Sequence, residues 1–143
     1  YSVSLHNIEM GGVPLATGQD AFGTTLVDSG TTFTYLPAQI FTVLSQEIVA
    51  VCTTPPGCGA TREGTACWRL DKPGGPLRFP PLTLVFENDI RISWPPWSYL
   101  FERGEPTLWC HAFANNGGGV GTVLGASFML HKDVIFDLER SRL

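Results

Sequence analysis

Glycine and proline interrupt this sequence so often that long regular elements have little room to form. They occur 16 and 11 times among 143 residues, and they follow no repeating period. Because both residue types end helices and strands, the segments between them are expected to be short. Many short segments separated by turns are typical of an all-β chain. We therefore expect one all-β domain that spans residues 1–143.

One stretch has the spacing of a helix. Pro37 suits a first helical turn, and apolar residues then recur on one face, at Ile40, Phe41, Leu44, Ile48 and Val51. A shorter helical piece is expected at residues 127–130. Alternating apolar and polar residues predict strands elsewhere, at residues 1–10, 13–15, 24–27, 67–70, 82–86, 90–93, 109–113, 122–125 and 134–136. Asn88 and Asp89 predict a hairpin between two of these strands. Apart from residues 67–70, we expect residues 57–80 to form loops.

The charge pattern argues against binding to nucleic acids, and the short apolar stretches argue against a membrane segment. The sequence has 9 basic and 13 acidic residues, a net charge of −4, and no basic cluster that would bind a phosphate backbone. No apolar stretch approaches the ~20 residues that a membrane-spanning helix needs. We therefore expect no nucleic-acid partner and no membrane segment in this chain.

Histidine and tryptophan residues are too dispersed to define a site. His6, His111 and His131 lie far apart, so we expect them on the surface or in loops, with no bound metal. No phosphate-binding motif is present, and we expect no cofactor. Tryptophan can line carbohydrate sites, but packing in the core or against another lobe is its more common use. We expect packing for all four, Trp68, Trp94, Trp97 and Trp109.

The four cysteines form an even set with irregular spacing, which favours disulfides over a zinc site. Three pairings are possible for four cysteines. We favour Cys52–Cys58, which would close a short turn, together with Cys67–Cys110, which would join two strand regions. Disulfides indicate an oxidising compartment, so we expect the lumen of the secretory pathway, in the ER, the Golgi or beyond.

The sequence VDSGTT, residues 27–32, places an acid in a tight turn after a strand. Backbone N–H groups of such a turn, and the hydroxyl of Thr31, could stabilise the ionised form of Asp28. Gly30 would let the backbone approach a ligand closely. A carboxylate in this position could activate water. An ordinary Asp-Ser-Gly turn without function is the alternative.

This motif resembles the active-site sequence Asp-[Ser/Thr]-Gly-[Ser/Thr] of pepsin-like aspartic proteases. Other segments resemble the C-terminal lobe of that family in the same order, at residues 1–12 (YSVSLHNIEMGG), 33–37 (FTYLP), 80–86 (PPLTLVF), 123–128 (VLGASF) and 134–137 (VIFD). The resemblance implies one lobe of the bilobal pepsin-like acid protease fold, an all-β lobe with one or two short helices.

The resemblance also implies roles for individual residues. Asp28 would be one of two catalytic aspartates, and Ser29 would take part in the hydrogen-bonded grip between the lobes. Gly30 and Thr31 would hold the carboxylate and approach the substrate, while Thr32 would bond the substrate backbone.

Support for the active-site loop is implied by the same resemblance. Val123, Leu124 and Gly125 would pack beneath the loop, and the pairing of Cys67 with Cys110 resembles a disulfide of this lobe. Many relatives carry an acid after Leu-Gly, where this chain has Ala126. In this respect the chain is similar to the plasmepsin V-type export proteases of apicomplexan parasites. That similarity implies a Golgi or ER protease that cuts after Leu in Arg-x-Leu motifs of exported proteins.

The motif occurs once, so the resemblance implies half of a site. Asp28 and a second aspartate would activate water to hydrolyse a peptide bond of a peptide or protein substrate. We expect the second aspartate from an N-terminal lobe in another chain, rather than from a second copy of this chain as in retroviral proteases. The alternative function is a non-catalytic binding or inhibitor module with the pepsin fold.

Overall fold

The computed structural model describes residues 1–17, 19–117, 121–140 and 142–143. Strands dominate the described chain and are short, as the frequent glycines and prolines predict. In chain order they are β1 (Ser2–Val3), β2 (Leu5–Met10), β3 (Val13–Thr17), β4 (Thr25–Val27), β5 (Thr34–Leu36), β6 (Ala60–Glu63), β7 (Cys67–Leu70), β8 (Leu82–Phe86), β9 (Ile90–Trp94), β10 (Leu100–Glu102), β11 (Leu108–His111), β12 (Phe113–Asn115) and β13 (Thr122–Leu124). The predicted all-β class is confirmed.

Three α-helices accompany the strands: α1 (Ala38–Thr53), α2 (Pro96–Tyr99) and α3 (Ala126–Met129). Helix α1 begins after Pro37, as predicted, and buries Ile40, Leu44, Ile48 and Cys52. The buried residues of α1 follow one another at intervals of four positions, which places Cys52 on the buried face. Val51 is exposed, so the prediction that it belongs to the apolar face is wrong. Helix α2 was not predicted, although proline is tolerated in a first helical turn, where Pro96 lies. None of the described helices is both long and apolar enough to cross a membrane.

A five-stranded sheet contains the turn that carries Asp28. Its strand order is β1-β4-β13-β5-β12. Strand β13 runs parallel to β4 and antiparallel to β5, and it therefore separates the two strands that flank the Asp28 turn. Leu124 of β13 is fully buried, and it pairs with Val27 immediately before the turn. The position of the turn thus depends on a strand from the far end of the chain.

Two four-stranded sheets complete the fold, with the orders β3-β2-β8-β9 and β10-β11-β7-β6. Strands β8 and β9 form the predicted hairpin, and Asn88 and Asp89 in its turn have positive φ angles. Strand β6 was not predicted because its side chains are mostly exposed and do not alternate in polarity. The structure contains the disulfides Cys52–Cys58, beside the end of α1, and Cys67–Cys110, between β7 and β11.

The three sheets and α1 share one hydrophobic core. Trp94 lies near its centre, where its ring contacts the rings of Tyr99, Phe113 and Phe128. Full burial of side chains of this size contributes roughly 1.5–3 kcal/mol each. The hydroxyl of Tyr99 is also buried and donates a 2.6 Å hydrogen bond to the carbonyl oxygen of Pro80. Burial raises the pKa of Tyr99 well above its usual range, so this hydroxyl stays protonated.

The predicted strand at residues 134–136 is wrong. No strand pairs with this segment in the described chain, and Ile135 is 73% exposed. Among the described residues after position 133, the only pairing is a single antiparallel bridge between Asp137 and Arg142. An apolar run without a neighbouring strand to accept its backbone hydrogen bonds does not become a strand.

His111 also differs from its prediction, because it is buried rather than on the surface or in a loop. It is 6% exposed at the end of β11, and its ring stacks on Phe113 at 4.5 Å. Its Nε2 atom accepts a hydrogen bond from the indole N–H of Trp68, at 3.4 Å. Burial, with a smaller contribution from the charge of Arg62, lowers the pKa of His111 to about 4.

This lowered pKa predicts loss of stability in mild acid. The unfolded chain takes up a proton near the usual histidine pKa of about 6.5, whereas the folded chain does so only near pH 4. The free energy of unfolding therefore decreases as the pH falls between these values, by on the order of 3 kcal/mol in total. His111→Gln should flatten this part of the pH profile, as measured by urea unfolding. His131→Gln, at an exposed position, should leave the slope unchanged, and an equal slope in all three proteins would contradict the prediction.

Candidate active site

Asp28 lies at the exposed tip of the turn between β4 and β5. The backbone N–H of Gly30 donates to Oδ1 of Asp28 at 2.9 Å, and the Thr31 hydroxyl donates to Oδ2 at 2.6 Å. Each carboxylate oxygen therefore has one donor from its own turn, and the outer side of the carboxylate remains open to solvent. The sequence predicted the Thr31 hydroxyl and backbone N–H groups of the turn as donors, and in the structure the backbone donor is Gly30.

These two hydrogen bonds act on the charge of Asp28. The Thr31 hydroxyl, and after it the Gly30 N–H, lower the pKa of Asp28 below its ordinary value. Hydrogen bonds to the ionised form favour that form. The turn therefore presents a carboxylate, rather than a carboxylic acid, over most of the acid pH range.

Thr31→Val should raise the pKa of Asp28 towards the ordinary aspartate value, because it removes the larger of the two stabilising hydrogen bonds. Valine has nearly the same shape as threonine, so the turn itself should be retained. The measurement is an NMR titration of the Asp28 carboxyl carbon. Thr32→Val is the matched control, since Thr32 is exposed and donates no described hydrogen bond to Asp28. Equal titration midpoints for all three proteins would count against the proposed origin of the shift.

The far end of the chain holds the turn through backbone hydrogen bonds. The N–H of Asp28 donates to the carbonyl oxygen of Leu124 at 3.0 Å. From the start of α3, the N–H of Ala126 donates to Thr31 O at 2.7 Å, and the N–H of Ser127 donates to Thr32 O at 3.0 Å. The segment that includes Val123, Leu124 and Gly125 therefore contacts the turn from below, and it fixes both of its sides.

Gly125 allows this close contact. A Cβ atom on Gly125 would lie 2.0 Å from Phe33 O and 2.6 Å from Thr31 O, both of them backbone atoms. Gly30 has more room, since a Cβ atom there would meet only Oδ1 of Asp28, at 3.2 Å. A side chain at position 125 is therefore excluded by the path of the backbone at Thr31 and Phe33.

Ser127 and Thr34 form a buried pair that the sequence did not reveal. The Ser127 hydroxyl donates to Ala112 O at 2.9 Å, and its oxygen lies 3.1 Å from the Thr34 hydroxyl. Since Ser127 has one hydroxyl proton, Thr34 is the donor between the two side chains. The Thr34 N–H also donates to Ala112 O, at 3.1 Å. This pair ties the strand after the Asp28 turn to α3 and to the segment before β12. Small polar residues on strands give no sequence signal for such a contact.

Two other residues of the motif, Ser29 and Thr32, have no described side-chain hydrogen bond to the carboxylate. Both residues are exposed. The structure therefore brings together Asp28, Gly30 and Thr31, and it leaves two hydroxyl groups next to them facing outwards.

Comparison with known proteins agrees with the geometry. The profile of a protein family described as "Xylanase inhibitor C-terminal" matches residues 1–143. Aspartic proteinase 36 of Arabidopsis thaliana is 30% identical over 97% of this chain. Plasmepsin V of Plasmodium falciparum (isolate 3D7) is 22% identical over 88% of the chain. The chain spans 30% and 28% of the lengths of these two relatives.

A solved structure supports the fold. The crystal structure of basic 7S globulin from soybean superposes with a TM-score of 0.75 over 99% of this chain and 37% of the globulin chain, at 18% sequence identity. With the family match over the full sequence, this likeness confirms the predicted pepsin-like architecture. The chain belongs to the xylanase inhibitor C-terminal family, and it is a C-terminal lobe of the pepsin-like aspartic protease type.

Proposed function

We propose that this chain supplies one half of the active site of an aspartic endopeptidase. The observation that carries the proposal is the Asp28 carboxylate, which is exposed at the tip of its turn while Gly30 and Thr31 hold it ionised. Similarity to aspartic proteinases over nearly the whole chain supports the same function.

Peptide hydrolysis by this chemistry needs two facing carboxyl groups. Two such groups at hydrogen-bonding distance share one proton, because both cannot remain ionised side by side. The ionised member takes a proton from the attacking water, and the protonated member donates its proton to the oxygen of the scissile carbonyl. The open outer side of the Asp28 carboxylate is where the second group and the water would lie.

The second aspartate comes, in this proposal, from an N-terminal lobe. The Asp-Ser-Gly-Thr motif occurs once in this sequence, and the chain spans 30% of Aspartic proteinase 36. Ser29 would take part in the hydrogen bonds between the two lobes, and Thr32 would form a hydrogen bond with the substrate backbone. Both side chains are exposed and available for these contacts. Gly30 and Thr31 would approach the substrate together with the carboxylate.

A narrower substrate class is also proposed, namely processing after Leu in Arg-x-Leu motifs in the ER or Golgi. Support comes from Ala126 in the Leu-Gly-Ala sequence and from similarity to plasmepsin V over 88% of the chain. The two disulfides are compatible with a secretory compartment. A peptide containing Arg-Ala-Leu should be cut faster than the matched peptide with Ala in place of Arg, and equal rates would remove this narrower proposal.

A non-catalytic inhibitor or binding module remains the second candidate, and the description of the matching family, which names an inhibitor, favours it. The two functions differ in what the other lobe must contain. An enzyme needs a second Asp-Thr/Ser-Gly turn facing Asp28, whereas a binding module does not.

The test compares this chain alone with the same chain assembled with its N-terminal lobe, using an unfolded protein as the substrate. We expect cleavage by the two-lobed protein and none by the single lobe, since one carboxyl group cannot act as both acid and base. Mass analysis without reduction identifies the companion chain for this experiment. An assembled protein that carries both aspartates and cuts no substrate at any acid pH would favour the binding module.

A further inference from the structure

A shallow aromatic groove lies on a different sheet from Asp28. It has a volume of about 330 Å³, and its walls include Trp97, Trp109, Glu102 and Leu77. None of the residues that form the Asp28 turn lines it. Any role of this groove is therefore separate from the chemistry of the carboxylate.

Strand pairing brings the acid and one indole together. Glu102 of β10 lies directly opposite Trp109 of β11 in the antiparallel register. Side chains that are opposite one another in such a pair lie on the same face of the sheet and within contact range. The fold thus fixes a carboxylate beside an aromatic ring at one end of this sheet.

The tryptophans divide into two groups. Trp68 and Trp94 are at most 1% exposed and pack in the core, as predicted, whereas Trp97 is 45% exposed and Trp109 is half-buried. Trp97 is therefore not packed in the core of this lobe, and its packing against another lobe stays a prediction. Leu77, which also lines the groove, is 69% exposed. Large apolar side chains gathered around one concave surface indicate a binding site more strongly than isolated ones do.

The groove offers hydrogen-bond acceptors and aromatic faces but few donors. No described side chain forms an ion pair or a hydrogen bond with the Glu102 carboxylate. The indole N–H of Trp109 is already used, since it donates to Pro106 O at 3.2 Å. Trp97 supplies the one remaining side-chain donor among the residues that line the groove. Glu102 is the only charged residue in this lining.

We propose that this groove binds a basic side chain, an arginine before a lysine, presented by another protein. An unpaired carboxylate beside two indole rings complements a group that is positively charged and rich in donors. Arginine fits better than lysine because its planar guanidinium stacks on an indole and is more weakly hydrated. The net charge of −4 would favour the approach of such a partner.

The test titrates the protein in its native form with acetyl-Gly-Arg-Gly-amide and follows the four indole N–H signals by NMR. One exposed ion pair with aromatic stacking gives an affinity in the millimolar range. We expect shifts for Trp97 and Trp109 but none for Trp68 and Trp94. A peptide with citrulline in place of arginine has nearly the same shape without the charge, and it should bind more weakly.

Two variants distinguish binding in the groove from a non-specific effect of the protein's net charge. Glu102→Gln should weaken arginine binding by about threefold, an effect typical of an exposed ion pair. Glu47→Gln makes the same change in net charge at an exposed position on α1 and should leave binding unchanged. Equal binding of the citrulline peptide, or an unchanged affinity after Glu102→Gln, would overturn the proposal. Shifts caused by a neutral oligosaccharide such as maltotriose, and not by the arginine peptide, would also overturn it and would indicate a carbohydrate site.

Discussion

Asp28→Asn should reduce kcat for peptide hydrolysis by the assembled two-lobed protein by at least about 10³-fold, within the range for loss of a general acid or base. Asparagine retains an oxygen that can accept the Gly30 N–H bond, so the turn should keep its shape. The amide cannot take a proton from water, and it cannot share a proton with a second carboxyl group. Initial rates over the acid pH range, together with circular dichroism to verify folding, measure the effect.

Asp71→Asn is the control for Asp28→Asn. Asp71 is exposed and lacks the following Ser-Gly pair, so its loss should leave kcat within about twofold of the original value, as expected for a distant surface substitution. KM should be almost unchanged in both variants, because neither removes an apolar contact with the substrate. Turnover by the Asp28 variant at a rate near that of the original protein would remove Asp28 from the mechanism.

Gly125→Ala should lower the free energy of unfolding by more than about 3 kcal/mol, beyond the usual cost of overpacking. The added methyl group would lie 2.0 Å from the carbonyl oxygen of Phe33, and a backbone atom cannot move aside as a flexible side chain can. Relief of the clash requires β13 and the Asp28 turn to separate. The expected result is a lower midpoint of urea unfolding and a shifted signal for the Asp28 carboxyl carbon.

Gly104→Ala provides the comparison for Gly125→Ala. Gly104 has a φ of +76°, but a Cβ atom there would meet nothing within 4 Å. This variant should therefore cost only the strain of a left-handed backbone, about 1–2 kcal/mol, and it should leave the Asp28 signal in place. Equal destabilisation by the two variants would show that the contact with Phe33 is not the cause.

Local chemistry explains which parts of this molecule were predictable. Helix α1 follows from Pro37 and from apolar residues at helical spacing, and the hydrogen bonds to Asp28 come from residues two and three positions further along the chain. Each of these features is determined by neighbours in the sequence. The pepsin-like architecture came from resemblance over the whole sequence, and periodicity alone gave only its all-β class.

Long-range contacts explain the features that were not predicted correctly from the sequence. The burial of His111 depends on Trp68, a residue on a different strand, and the contact between Ser127 and Thr34 joins residues 93 positions apart. Residues 134–136 have the composition of a strand, but whether a strand forms depends on a neighbour to pair with. Trp97 and Trp94 lie in the same short segment, and only the three-dimensional packing places one in the core and the other at the surface.

The central position of β13 has a consequence for how the protein is made. Strands β4 and β5 are synthesised about ninety residues before β13, the strand that must lie between them, and closing so long a loop is slow. Until then the N–H of Asp28 lacks its acceptor, the carbonyl oxygen of Leu124, and the carbonyl oxygens of Thr31 and Thr32 lack their donors at the start of α3. A nascent chain therefore carries the Asp28 turn without the backbone hydrogen bonds that join it to β13 and α3 until those later segments have been synthesised.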